Sequence, residues 1–558
     1  MGRNLVLALA LLAGCGRTDL DGGLLAEKND GTGPRPSVPD PSDPVPNEPA
    51  PVDPEPEPEP RTFGPLPEIC VATHAYTGSA STAQLRLFAP FSEQPGPFTV
   101  SGANAWTFAF SPRGRRLVFL DDTGLHLVDS WPPEPRRLTT EFPASSFAFV
   151  DETHVVVNVR SSIELHDLET ETRLVLHQSA APPDPSSPPL YLVHPSPDGR
   201  WVAYAEVKNQ VHELWLLDLL AEPRSPVRVM TLEPGAVAAW LDWAPDSEHL
   251  GISVTDSNRT WLRPHSAPTT GKSFDALPIS FELDAASSVP TFQWSPTGGA
   301  LHYLYQRVDP VTNETDWRLY FVDMTTPAPG PSVLLSHFDE RNWPSPGYFS
   351  PKGDMIAFSA EFAGPDFREA LFVSRVDSPN TPERQHTDGF GWVLKQEWSP
   401  DNRALYFTAI RKDGVESVYR ADLEGTSTLV SSPSADVRGL YVSPKPGCLA
   451  YAQYQPTPAV VIVDELQEEL HTLGDPQAND PTWTGTFDSS IALWVGDRKG
   501  DVKGFSYVSS SPNGGDGLVW IPVKGCTPSS PEVVIESEPN TFIHGLFAST
   551  TTRSGERE

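Results

Sequence analysis

A four-residue turn built on Ser-Pro recurs along this chain and fixes most of what can be said about its fold. It appears as FSPRG (110–114), PSPDG (195–199), WAPDS (243–247), WSPTG (294–298), FSPKG (349–353), WSPDN (398–402) and VSPKP (442–446). Ser suits the first position of a type I turn, Pro the second, Asp or Thr the third, and Gly often takes the fourth. Six residues after each turn start stands an aliphatic side chain: Leu117, Val202, Leu250, Leu301, Ile356, Leu405 and Leu449. Eight after stand Phe119, Tyr204, Ile252, Tyr303, Phe358, Phe407 and Tyr451. An interval of two puts both side chains on one face of a strand. A short strand also precedes each turn, so each unit contains a tight hairpin. A third strand follows and often ends in Asp, as in LHLVD (125–129), LWLLD (214–218), LYFVD (319–323), VYRAD (418–422) and VVIVD (460–464).

After the first gap the turns are 48, 51, 55, 49 and 44 residues apart. About four short strands in such a unit is the length of a propeller blade. The first gap, 85 residues, holds a worn copy. FAFVDETHVVVNV (147–159) aligns without gaps on FAFSPRGRRLVFL (108–120), lacking the turn but keeping the alternation. A second worn copy lies at TWTGTFDSSIALWVG (482–496). These units resemble the TolB-type, WD-like β-propeller repeat, whose core reads aromatic-Ser-Pro-Asp-Gly and whose third strand ends in Asp. The resemblance covers about 105–500 and implies a fold, since unrelated functions share it. TolB itself has an α/β domain before its propeller, where this chain shows a Pro-rich tether instead, so TolB's partners are not carried over. The expectation is an all-β chain with one propeller of about eight four-stranded blades, within a range of seven to nine. One worn unit is expected to merge into a closing blade, in which strands from both chain ends pair and leave no free edge.

The N-terminus reads MGRNLVLALALLAGC: a basic start, an apolar stretch too short to span a bilayer, then small residues. Leu12-Ala13-Gly14-Cys15 resembles the lipobox of bacterial lipoproteins. That resemblance implies cleavage before Cys15, its diacylation, and acylation of the new amine, which together anchor a chain stably. Residue 16 is Gly, not the Asp of the inner-membrane sorting rule, and the resemblance thereby implies the outer membrane of the cell envelope. An ordinary signal peptide followed by a chance Cys is the alternative. From Pro34 to Pro60 there are 12 Pro and 7 acidic residues. Alternating Pro and acid favours polyproline II, reaching about 80 Å at ~3.1 Å per residue. It reads as a stalk, with a ligand for a proline-recognising groove as the alternative. The expected organisation is a signal peptide over 1–14, lipidated Cys15 and a disordered Pro/Asp/Glu-rich linker over 15–67, the propeller over 68–549 and a disordered tail over 550–558.

With 40 Lys+Arg against 73 Asp+Glu, the formal net charge is −33, which disfavours any nucleic-acid partner. Membrane contact is expected through the lipid anchor only. Cys70 begins the body and Cys526 lies near its end, so shared termini would let them form a disulfide. No bridge, and a pairing of Cys448, are the alternatives. There is no C-x-x-C for zinc, no G-x-S-x-G elbow, no H-E-x-x-H, no P-loop and no EF-hand loop. DSNRTW (256–261) partly resembles the Asp-box of sialidase-like propellers, with Asn258 in place of Gly. Some TolB-like propellers are lyases with a His-lined metal site at the axis. Here His194, His302, His337 and His386 fall on different units, though solvated or strand-facing roles suit them as well. Trp243, Trp294 and Trp398 recur before the turn and read as packing between units rather than as sugar platforms. No catalytic residue, metal ligand or cofactor is assigned. The expected function is a membrane-anchored, non-catalytic scaffold presenting a rigid face to a protein or cell-envelope partner. The alternative is a carbohydrate-active or metal-dependent, lyase-like enzyme with its site in the channel.

Overall fold

The computed structural model describes residues 64–548 except 78–81, 102–103, 140–143, 160, 180–189, 223, 256–259, 267–286, 310, 313–314, 326–331, 339–346, 363–367, 379–382, 385–389, 475–486, 498–500, 511–515 and 536–540. Among the described residues every element is a β-strand. Ten antiparallel sheets of three to five strands follow one another along the chain, besides a two-residue pairing of Gly64–Pro65 with Ser130–Trp131. Blade 1 combines Val71–Thr77, Thr82–Phe88 and Phe98–Thr99 with the C-terminal strand Thr541–Ala548. Blades 2 to 10 then span 105–139, 144–178, 190–231, 237–266, 287–338, 348–384, 390–429, 436–474 and 487–535.

The sheets form a closed ring. Among the described residues each hydrophobic cluster straddles two neighbouring blades, and the last blade packs on the first through Trp520, Val495, Val71 and Phe88. The core is therefore a set of seams, because a single four-stranded sheet has two apolar faces and nothing of its own to cover them. First strands of successive blades touch: Leu190–Pro195 meets Ala144–Phe149 on one side and Val237–Trp243 on the other. They line the axis. All seven aliphatics six residues after the turn, and all seven side chains eight after, are at most 2% exposed. Each pair lies in the seam with the preceding blade, as Leu405 and Phe407 of blade 8 pack with Leu371 and Val373 of blade 7. Burying such side chains contributes about 1.5–3 kcal/mol each. Between them, Gly251 faces the next blade, where a Cβ would stand 2.4 Å from the Phe292 ring.

The blade number corrects the expected eight. Both worn copies build blades of their own, and the strands at 71–99 make a tenth with the C-terminal strand instead of absorbing a worn unit. Ring closure by both chain ends holds: Val71 to Thr77 pairs with Ala548 to Thr541. The gapless alignment of blade 3 is also corrected. Phe110 pairs with Leu117 in blade 2, but Phe149 pairs with Val155 in blade 3, so the worn turn is one residue shorter. Val155, Val157 and Val159, not Val156, face blade 2. With a side-chain period of two, a single deletion exchanges the faces.

Candidate functional site

The recurring residues are consumed in holding the ring. In six of the seven turns the fourth-position N–H donates to the first-position carbonyl, as Gly199 does to Ser196 and Asn402 to Ser399, whereas the turn from Ser443 has Pro446 there and no N–H to give. In those six the fourth residue is left-handed, at φ 73° for Gly199 and 69° for Asn402. The Ser hydroxyl accepts the N–H that re-enters the second strand: Trp201 to Ser196 at 2.9 Å, Ala300 to Ser295 at 3.1 Å, Ala404 to Ser399 at 2.9 Å. Trp243, Trp294 and Trp398 donate their indole N–H to carbonyls of the preceding blade, at His194, Asp242 and Tyr348, over 3.0–3.2 Å. Each pins one first strand to the last, and none offers a free ring face for sugar. The third-strand aspartates cap turns: Asp218 accepts from the Leu220 N–H, Asp323 from Thr325, Asp464 from Leu466 and Gln467. Asp129 instead pairs with Arg136 at 3.1 Å.

The other rim, where second and third strands join, carries acid–histidine pairs on three consecutive blades. His126 meets Asp121 at 3.0 Å in blade 2, and His166 meets Glu164 at 3.1 Å in blade 3. Burial alone would raise the Glu164 carboxyl, but bonds from His166 and Ser162 and the Arg173 charge outweigh it and hold it below the usual value. The third pair bridges blades 3 and 4. Glu206, with no exposed surface, accepts from the Ser179 hydroxyl at 2.8 Å and pairs with Lys208 at 3.0 Å and His177 at 3.4 Å. Lys208 also lies 4.7 Å over the Trp215 ring. Burial pushes His177 down. Burial would do the same to Lys208, but Glu206 and Glu213 raise it. Lys208 is thus held charged between its carboxylate neighbours, which suits a lock between blades.

On two first strands, which face the axis, a tryptophan meets solvent. Trp240 is 46% exposed and Trp392 41%, with Val237 and Leu394 beside them on the same first strands. Both strands carry bulges next to these residues, between Ala238 and Trp240 and between Phe390 and Trp392. A bulge lets a strand turn a side chain away from the face its position implies. Period-two reading of the sequence therefore passed over both tryptophans. The wall between blades 8 and 9 is charged as well: Lys395 lies 4.2 Å over the Tyr441 ring and 3.0 Å from Glu397, and Arg438 is 3.2 Å from Glu416.

Cys15 and the stalk lie outside the described residues, as do His386 and the 256–259 stretch of the Asp-box resemblance. The expected Cys70–Cys526 meeting is not found. Cys70 is buried in the seam of blades 1 and 2, whereas Cys526 is buried with Cys448 in the seam of blades 9 and 10, and none of the three is in a disulfide. Sharing blade 1 brought Thr541–Ala548 to Val71–Thr77, but Cys526 precedes that strand and belongs to blade 10. The His337 side chain is likewise outside what is described, and His194 and His302 do not converge. His302 is sealed beside Phe349 of blade 7, bonded to Gln293 at 3.1 Å and pushed down to about 4 by burial. The His194 ring lies 6.0 Å from that of Trp240. Among the described residues no group of three or more His, Cys, Asp or Glu side chains is arranged to hold a metal ion.

No protein-family model matches the chain, and no curated protein does. Solved structures that resemble it include a eukaryotic initiation factor, at 12% identity and TM-score 0.46 over 86% of this chain and 98% of that one. A puromycin hydrolase matches at 14% identity and TM-score 0.35 over 63% of this chain; the chain spans only 54% of that enzyme's length. A putative TolB from Agrobacterium tumefaciens matches at 17% identity and TM-score 0.23, over 56% of this chain and 88% of that one. The propeller assignment rests on the ring of blades itself.

Proposed function

We propose that this protein is a non-catalytic binding platform of the cell envelope, anchored in the outer membrane through lipidated Cys15 and held off it by the Pro/acid stalk. Its partner is a protein or envelope component that enters the mouth of the ring. The observation supporting this is the pair of bulged first strands that expose Trp240 and Trp392 on the inner wall. Every other first-strand Trp whose side chain is described is spent on a seam, and aromatic anchors exposed on a rigid frame are the residues that dominate recognition. The test is in-cell crosslinking and capture with the full anchored chain, compared with Trp240→Ser/Trp392→Ser. Loss of the captured partner in the variant is expected; unchanged capture overturns the reading. Cys15→Ser is expected to leave the membrane fraction.

A second reading, a carbohydrate-active or metal-dependent lyase-like enzyme, draws on the sealed His177–Glu206 pair, an acid and a base in contact at the rim. Turnover of a polysaccharide panel that Glu206→Gln abolishes would replace the platform with that enzyme.

A further inference from the structure

Cys448 opens the second strand of blade 9, Cys448–Gln455, immediately after that blade's Ser-Pro turn. Cys526 sits in the tight turn between the blade 10 strands Asp516–Lys524 and Thr527–Pro528. The two are far apart in sequence, on different sheets, yet both are buried in one cluster with Trp494, Phe505 and Ile521. The Cys526 sulfur lies 3.8 Å from the carbonyl oxygen of Gly447, the residue before Cys448. The Cys526 S–H donates to that carbonyl, and the two sulfurs interact directly. The Cys448 sulfur lowers the Cys526 thiol, aided by the nearby Lys445 charge and opposed by burial, Asp464 and Glu465. A thiol lowered in this way gives up its proton more readily and is the attacking sulfur toward a disulfide. Cys70, by contrast, is buried in the seam of blades 1 and 2, and burial pushes its thiol up.

We infer that Cys448 and Cys526 are a disulfide-forming pair that stitches blade 9 to blade 10, closed by exchange with a low-molecular-weight disulfide. The Cys526 thiolate attacks one sulfur of the small disulfide, forming a mixed disulfide and releasing one small thiolate. The Cys448 sulfur then attacks Cys526, forming the protein disulfide and releasing the second small thiolate. The two protons lost by the protein end on the two released thiols. The two electrons lost by the cysteines reduce the small disulfide. The bond crosses a seam otherwise closed by packing and by the Trp494 indole bond to the Tyr441 carbonyl, and it ties a long loop in the unfolded chain.

The experiment equilibrates the natively folded full chain in buffers of reduced and oxidised glutathione, quenches in acid, alkylates the unfolded protein with N-ethylmaleimide and maps the digest by mass. Under oxidising buffer the expected product is a linked peptide pair containing Cys448 and Cys526, lighter by two hydrogens than the separate peptides, with Cys70 alkylated throughout. The wild-type protein alone settles this, whether or not variants fold. Oxidation is also expected to raise Tm by a few degrees, and Cys526→Ala to abolish that rise while leaving Cys448 fully alkylated. Full alkylation of both cysteines at every glutathione ratio overturns the proposal. So does a link that includes Cys70, or one that forms only after the protein has been unfolded.

Discussion

Blade 8 spells the repeat in full, whereas blades 3 and 10 have lost the Ser-Pro turn; all three close the same hairpin. In blade 8 the Ser399 hydroxyl accepts the Arg403 and Ala404 N–H groups at 3.1 and 2.9 Å and donates to Asp401 at 2.7 Å. In blade 3 the Asp151 carboxylate takes that place, accepting from Thr153 at 2.7 Å and His154 at 2.8 Å in a turn one residue shorter. In blade 10 Asp497 accepts from Asp501 at 2.9 Å and pairs with Lys503 at 3.0 Å. Blade 10 also keeps the indole pin, with Trp494 donating to the Tyr441 carbonyl at 2.9 Å. The ring thus requires an acceptor for the N–H groups at the turn and alternation along the strands, not Ser-Pro as such. The worn blades also reach back to their neighbours. Glu152 of blade 3 accepts from Ser111 and from the Arg113 N–H of blade 2, both at 2.8 Å.

The largest way to break this equivalence is at the ring's closure. A chain ending at Asn540 lacks the inner strand of blade 1 and leaves Val71–Thr77 as an open edge. Loss of the cooperative melt and aggregation on a sizing column are expected; a wild-type melt would mean that the ring is not closed there. Next in size are the seams. Phe407→Ala in blade 8 and Phe505→Ala in blade 10 remove rings that are at most 1% exposed, and each is expected to cost about 3–5 kcal/mol in urea unfolding. A much smaller cost in blade 10 would show that its seam is not equivalent. Trp398→Phe and Trp494→Phe each delete one indole hydrogen bond, at about 1 kcal/mol. Unequal losses would break the parallel between intact and worn blades.

The smallest effect sharpens the comparison through pH. The Ser295 hydroxyl contacts Thr297 and has no carboxylate partner in its turn, so Ser295→Ala is expected to lower stability by about 1 kcal/mol or less, equally at neutral and acid pH. Burial would raise the Asp151 carboxyl, but its bonds from Thr153 and His154 lower it below the ordinary 3.8. Its contribution is therefore present above 3.8 and lost as pH falls through the lower folded value. Amide-exchange protection is expected to fall at His154 on acidification and to hold at Ala300; a parallel fall at both would refute the distinction.

Much of this was readable before any coordinates. The residues six and eight after each turn did become the seam positions, and the tryptophans before the turn did become pins between blades. The third-strand aspartates did cap turns, except Asp129. What escaped were features made by single residues or by distant pairs. One missing residue in blade 3 moved Val155 to the seam that the gapless reading gave to Val156. Two bulges exposed Trp240 and Trp392. Cys526 found Cys448 rather than Cys70, because the C-terminal strand that joins blade 1 begins only at Thr541.

The amino-acid order alone determined the unit: its turn chemistry, its alternation and the faces it must bury, since these depend on neighbours a few residues apart. The number of units in the ring, the strand that closes it, the side chains left on the inner wall and the partner of each cysteine were decided by tertiary structure. Each of these depends on how the wedge of side chains in one seam adds to the next around a full turn. That sum brings together residues hundreds of positions apart, and no local pattern encodes it.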